Sequence, residues 1–262
     1  MGKITSALKK AAEDRMNRIE KVSRMKEHEQ LIVKKIGESL VDPSVVTYFD
    51  PKALISEQYK ILRTNILSLN KGVPPKAMVV TSSIHSEGKT ITSLNLSVSL
   101  AQAVHKPKVL LVDADLRKGK VHKYLGVDLS AGLSEFLEGE APLNDILYNI
   151  EDVDNLAFIS CGKVPDHPAE LLHSEAMKSF IAEMRKKFDF VIYDTPPIIS
   201  VTDASILGNM VDGVLMVVQA GRTQRGIIKR AEESLYQARC KVIGHVLTNI
   251  EYHLPEYIYR YL

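Results

Sequence analysis

The sequence predicts an α/β fold: a mostly parallel central sheet with helices packed on both of its faces. Three observations predict it. Short apolar runs at 77–81, 109–112, 156–159, 190–193, 214–218 and 242–247 are rich in Val, Ile and Leu, as strands buried on both faces are. Segments with helical apolar spacing at 91–104, 175–187 and 226–238 lie between them, and that alternation indicates βαβ units in three layers, α/β/α. The chain has 262 residues, 45% hydrophobic and 25% charged, which suits one large domain and excludes wholesale disorder.

Charge and cysteine usage narrow the function classes. Lys plus Arg number 34 against 32 acids, a net +2, whereas a dedicated nucleic-acid binder would carry a basic excess. Cys161 and Cys240 are too few for a disulfide framework and lack metal-ligand spacing, so they read as core thiols in a reducing cytoplasm. No apolar run approaches the roughly 20 residues of a membrane span, and no signal-peptide core follows Met1.

Residues 1–50 read as a basic helical arm. Its first 36 residues hold ten Lys or Arg against five acids. Two readings stand: a solvated helix, or a docking segment for a membrane surface or a membrane-bound partner. Asp42-Pro43 and Asp50-Pro51 punctuate the passage into the main body, residues 51–250. A helix over 56–69 would present Ile55, Tyr59, Leu62, Ile66 and Leu69 on one face, ended by Gly72-Val73-Pro74-Pro75. The strands and helices described above follow.

The first of these strands runs into a loop ending Gly88-Lys89-Thr90, with a helix behind it. This is the ending of a phosphate-binding P-loop. Ser83, Ile84, His85, Ser86, Glu87, Gly88, Lys89, Thr90 and Ile91 are read as the nucleotide-binding stretch. Gly88 lets the backbone approach phosphate, and successive N–H groups with the helix N-terminus receive its charge. The Lys89 ammonium reaches the outer phosphates and the Thr90 hydroxyl holds Mg²⁺. The strict pattern has a glycine where this chain has Ser83.

Two later strands end in acid: Val112-Asp113-Ala114-Asp115-Leu116-Arg117, and Tyr193-Asp194-Thr195-Pro196-Pro197. A parallel sheet brings these ends to the edge that carries the P-loop. Asp113, Asp115 and Asp194 there can hold an octahedral cation directly or through water, and one can take a proton from an attacking hydroxyl. Arg222, after the strand ending at Gln219, is a candidate phosphate contact or a helix start. Asn249, or Thr248 beside it, is a candidate adenine contact, and Asp203 reads equally well as a helix cap.

Four of the chain's ten tyrosines, Tyr252, Tyr257, Tyr259 and Tyr261, fall in its last eleven residues, beside Pro255. A core strand does not suit such a terminus. The segment 251–262 therefore reads as a tyrosine-cluster tail of phosphate acceptors, with an aromatic docking patch as the competing reading.

From about Ser56 onward the chain resembles the bacterial tyrosine kinases, which are built on P-loop ATPase machinery. Asp113, Asp115 and Arg117 look like that family's Walker A′ motif, and Asp194 with Pro197 like its Walker B. The resemblance implies an ATP-dependent autokinase that uses ATP and Mg²⁺ and phosphorylates its tyrosine cluster in trans. It assigns phosphate and metal binding to Lys89 and Thr90. Asp113 and Asp115 share metal binding and activation of the tyrosine hydroxyl, and Asp194 supports Mg²⁺. Glu57, Lys60 and Arg63 match the family's subunit-contact helix, with Lys60 in place of a second arginine. The implied setting is capsular or extracellular polysaccharide synthesis and export. The implied partners are other copies of the chain (a ring among the forms allowed), a membrane-spanning polysaccharide co-polymerase or activator, and a phosphotyrosine phosphatase. That would place the chain in the cytoplasm, at the inner face of the plasma membrane through its partner. The alternative is a partitioning or division-site switch ATPase. Such proteins carry an additional lysine near the start of the P-loop, and residues 82–87 contain none.

Overall fold

The computed structural model describes residues 34–35, 41–69, 74–127, 131–150 and 152–250. The tyrosine tail and residues 1–33 and 36–40 of the basic arm lie outside the described residues. The described residues belong to one compact unit that starts at Lys34.

Eight strands among the described residues form one sheet. They are β1 (Lys34–Lys35), β2 (Ala77–Ser82), β3 (Val109–Asp113), β4 (Tyr148–Ile150), β5 (Val153–Ile159), β6 (Phe190–Asp194), β7 (Gly213–Gln219) and β8 (Val242–Thr248). Their spatial order is β1-β4-β5-β3-β6-β2-β7-β8. Every neighbouring pair is parallel except β4 with β5. The six apolar runs thus become the six parallel strands. β2, β3 and β6 are buried at every residue, as continuous apolar strands covered on both faces must be.

The helices α1 (Val46–Phe49) and α2 (Leu54–Leu67) precede β2, and α3 (Lys89–Ala101) follows it. After β3 come α4 (Val121–Tyr124), α5 (Leu133–Leu137) and α6 (Leu143–Ile146). Next are α7 (Pro168–His173) and α8 (Glu175–Lys187), then α9 (Asp203–Gly208) before β7 and α10 (Arg225–Gln237) after it. Ten consecutive residues of α3, Thr92 to Ala101, are buried, so it is an interior helix and its apolar residues need no single stripe. α8 is amphipathic. It buries Met177, Phe180, Ile181 and Met184 and ends in Arg185, Lys186 and Lys187, where cations suit the helix dipole.

Three expectations are corrected. The arm was expected to be helical through Ile36, but Lys34–Lys35 pair as a strand with β4, whose outer backbone groups need partners. The packed body also begins ahead of residue 51, because Val41 and Val45 are buried in the main core. Asn95 of α3 fastens that segment: its side-chain oxygen accepts from Thr47 N and Oγ1 at 3.0 Å each, and its amide donates to the Ser44 carbonyl at 2.9 Å. In α2 the fully buried residues are Ser56 and Ile66, while Ile55 is exposed. The apolar face expected there is therefore rotated away from the core at its first turn.

Candidate active site

The P-loop crosses from β2 to α3 over the carboxyl edge of the sheet. Gly88 caps α3 with φ +89°, a left-handed conformation that glycine adopts without steric cost. Behind it, the buried Glu87 draws three groups together. It accepts from Ile84 N at 2.8 Å, from Gln219 N at 3.2 Å and from the Thr223 hydroxyl. The Glu87 carbonyl accepts from Thr248 Oγ1 at 2.8 Å. One glutamate thus binds the loop to the ends of β7 and β8.

The parallel register places Asp113 directly opposite Asp194. Asp194 accepts from Thr90 Oγ1 at 2.7 Å and from Ser93 Oγ at 3.0 Å. Lys89 Nζ lies 3.4 Å from both Asp194 Oδ2 and Asp115 Oδ2 and 3.2 Å from Thr90 Oγ1. Asp113 is held deeper, by Asp115 N at 3.3 Å and Val121 N at 3.0 Å, and Lys118 N donates to Asp115 at 3.0 Å. The expected edge is assembled: Lys89, Thr90, Asp113, Asp115 and Asp194 converge.

Their charges are unbalanced. Burial first, and then the adjacent Asp194, pushes the Asp113 carboxyl up to about 8. Burial also raises Asp194, against Lys89 and the two hydroxyls. Burial works against the Lys89 ammonium, but Asp194, Asp115 and Asp113 outweigh it and hold Lys89 above its ordinary range. Three carboxyls faced by one ammonium leave a negative surplus. The donors Thr90, Asp113, Asp115 and Asp194 are all oxygen, the set a hard divalent cation takes, so these residues fit such an ion.

Above them opens a cleft of about 330 Å³, lined by His85 to Ile91, Asp115, Lys118, Lys120, Tyr124 and Asn249. Ser83 and Ile84 lie behind this lining. Asn249, with φ +52°, faces the cleft, whereas Thr248 serves the loop. Arg222 is not part of the lining. It donates to the Ser86 carbonyl at 3.0 Å and to Gln219 Oε1 at 2.9 Å, bracing the loop from outside. Asp203 is buried and receives two hydrogen bonds from Arg117, at 2.9 and 3.1 Å, so it ties the Asp113–Arg117 loop to α9. Among the contacts expected for subunits, Lys60 pairs with Glu57 at 2.7 Å and Arg63 donates to the Ser99 carbonyl, both within this chain.

Sequence reasoning missed Ser93, Lys118, Lys120 and Tyr124. Ser93 stands four residues after Lys89, one helical turn on, and that spacing was the available signal. The two lysines follow the acidic loop directly, but nothing local turns them toward the cleft.

A phosphate loop on a strand–helix junction, facing acids on the neighbouring strand ends, defines a P-loop nucleotide-binding protein. An AAA-domain family model matches residues 80–233. The chain is 36% identical to the tyrosine-protein kinase YwqD of Bacillus subtilis over 83% of its own length and 90% of that protein. The solved chimerical protein CapA2B2 superposes with a TM-score of 0.75 at 29% identity, over 84% of this chain and 95% of that one. The kinase domain of Escherichia coli tyrosine kinase ETK gives 0.73 at 28% identity, over 80% and 83%. The chain belongs to the bacterial tyrosine kinase family and is a protein-tyrosine kinase. Its P-loop site takes ATP with a divalent cation. The septum site-determining protein MinD of Pyrococcus horikoshii, at 23% identity and a TM-score of 0.56 over 70% of this chain and 75% of that one, shares the fold alone. No described helix is long and apolar enough to cross a membrane.

Proposed function

We propose that the chain transfers the γ-phosphoryl group of ATP to the tyrosines of its own tail, Tyr252, Tyr257, Tyr259 and Tyr261, on a neighbouring copy. The observation that carries this reading is the convergence of Lys89, Thr90 and three carboxyls on one sheet edge, in a chain that ends in a tyrosine cluster. The cation is Mg²⁺, held by Thr90, Asp113, Asp115 and Asp194, directly or through water. It neutralises phosphate charge in a reaction governed by position and electrostatics.

The chain's own groups do the rest. Loop residues 83–91 surround the triphosphate. Lys89 exchanges its two carboxylates for phosphate oxygens, which frees Asp115 and Asp194. Asp115 lines the cleft while Asp113 is sequestered beneath it, which supports Asp115 as the group that takes the phenolic proton. Asp113 then holds the loop and the ion. Glu87 and Arg222 keep the loop in shape, and Asn249 faces the base.

Glu57, Lys60 and Arg63 contribute to self-association, a closed ring among its forms. Each phosphotyrosine adds about −1.5 to −2 charges, which repel the acidic edge and release the docked tail. The reading extends to polysaccharide synthesis and export, with a membrane-spanning co-polymerase as activator, a phosphatase to reset the tail, and a site of action at the inner face of the membrane.

Incubation with labelled ATP and Mg²⁺ tests the core of this. Wild type should incorporate label in the last eleven residues. Replacing all four tail tyrosines by Phe should remove most of it while ATP binding persists. Label retained in that variant places the acceptors elsewhere and defeats the reading.

A further inference from the structure

The back of the acidic edge carries a second set of donors. Asp113, His122 and Cys161 bring one ligand atom each to within 4.8 Å of one another. They come from three separate pieces of the fold: the end of β3, α4, and the residues just past β5. All three pieces are fixed. Val121 N, one residue before His122, donates to Asp113 Oδ2 at 3.0 Å. The Cys161 carbonyl accepts from Ser134 N at 3.1 Å and Ser134 Oγ at 3.0 Å.

Gly119 measures how tightly the acid and the thiol approach each other. A Cβ on that residue would stand 2.6 Å from Asp113 Oδ2 and 2.5 Å from Cys161 Sγ. The two atoms therefore share one small space, closed on one side by a residue without a side chain. Asp113 uses one lone pair of each oxygen on a backbone N–H and keeps acceptor capacity on both.

The donor types decide which ion fits. Thiolate, imidazole and carboxylate together suit zinc and similar thiophilic ions, and magnesium does not select sulfur or nitrogen. We propose that Asp113, His122 and Cys161 form a site for a thiophilic divalent cation, Zn²⁺ being the reference, which holds Asp113 away from phosphoryl transfer. Binding converts the Cys161 thiol to a thiolate and the Asp113 carboxyl to a carboxylate, and releases both protons to solvent. With three protein ligands, water completes four-coordination. Asp113 is thus the shared member of two metal sites, an oxygen-only site in front and a mixed site behind. The binding half stands by itself, and the inhibitory half rests on the role given to Asp113 above.

The test uses the full chain and Co²⁺, whose spectrum reports sulfur and geometry without any turnover. Titration should raise a thiolate-to-cobalt charge-transfer band with tetrahedral d–d bands, competed away by Zn²⁺. Cys161→Ser should abolish the charge-transfer band, while Cys240→Ser keeps it. His122→Gln, a second variant, should weaken Co²⁺ binding at least about tenfold, a loss seen even for outer partners of a metal. Absence of the band in wild type, or its survival in Cys161→Ser, overturns the site. Labelling assays at fixed ATP and Mg²⁺ then address inhibition: Cys161→Ser should need at least about tenfold more Zn²⁺ than wild type. Equal sensitivity would mean that zinc displaces the front ion instead, and would overturn the inhibitory half while the cobalt result stands.

Discussion

The two edges of the sheet answer carboxylate charge in opposite ways. At the amino edge lies the larger cavity, about 820 Å³, lined in part by Lys76, His105, Arg185, Asp189 and Asp212. Asp212 there accepts from Lys76 N and Ala77 N at 2.9 Å each and from Arg185 at 2.8 Å. Burial would raise it, but Arg185 and the two N–H groups prevail and hold it below its usual range. At the carboxyl edge the cleft is smaller, yet Asp113 is pushed up to about 8 and Asp194 is raised with it. An aspartate that is fully answered serves the fold. A pair that is under-answered waits for a cation. The lesson is that cavity size does not locate chemistry, and uncompensated charge does.

The sharpest way to break this comparison is to change one residue on each edge. Lys89→Met should lower tail labelling by about 100- to 1000-fold, the range for losing one preorganised charge contact in a transition state. Asp212→Ala should leave labelling within about twofold while costing about 1–2 kcal/mol in urea unfolding, because it leaves Arg185 and two backbone donors unanswered. If Asp212→Ala abolishes labelling in a folded protein, the amino edge is not merely structural.

The Arg117–Asp203 pair sharpens the contrast, since it is a balanced pair at the active edge. Arg117→Ala strands a buried carboxylate, although the first turn of α9 offers some relief. A loss of about 2–3 kcal/mol is expected, below the roughly 3–5 of a fully buried broken pair because Arg117 is partly exposed, read from the denaturation midpoint. A loss under about 0.5 kcal/mol, typical of surface changes, would show that Asp203 needs no partner.

A further contrast between the edges concerns pH. Asp113 is raised from 3.8 to about 8, so between those values the folded chain binds more protons than the unfolded one. Stability then falls as pH rises through that window. Without nucleotide or cation, the melting temperature should drop between about pH 5 and about 8, and saturating Mg²⁺ with ATP should flatten the drop. A profile unaffected by the ligands would separate Asp113 from the cation site.

Much of this was legible in the residues. The six parallel strands and the three long helices follow from apolar runs and helical spacing, and the 175–187 segment matches α8 to the residue. β4 escaped notice because Tyr148-Asn149-Ile150 is three residues long and holds its place by pairing with β5 and β1. Lys34–Lys35 escaped because a strand added at an edge is fixed by its neighbour's hydrogen bonds, to which composition is blind. The motif residues announced themselves by spacing. The clamp made by Glu87 did not, since it depends on Gln219 and Thr223, which lie 132 and 136 residues away. Cys161 illustrates the same limit: sequence spacing denied it any metal partner, while the fold sets it beside Asp113 and His122.

Thr248 ends the outermost strand with its hydroxyl on the phosphate loop, and Asn249 already faces the cleft. The segment proposed to supply the acceptors therefore leaves the described fold at the mouth of a nucleotide site. A chain spans at most about 3.3 Å per residue, so the distance from that anchor has an upper bound of roughly 10 Å for Tyr252 and roughly 40 Å for Tyr261. On that proposal, acceptor delivery is governed by local concentration, set by tether length and by the spacing of neighbouring subunits. On the proposed trans reading, diluting an intact assembly should leave its rate per subunit unchanged, because each tail stays beside a neighbouring subunit's site.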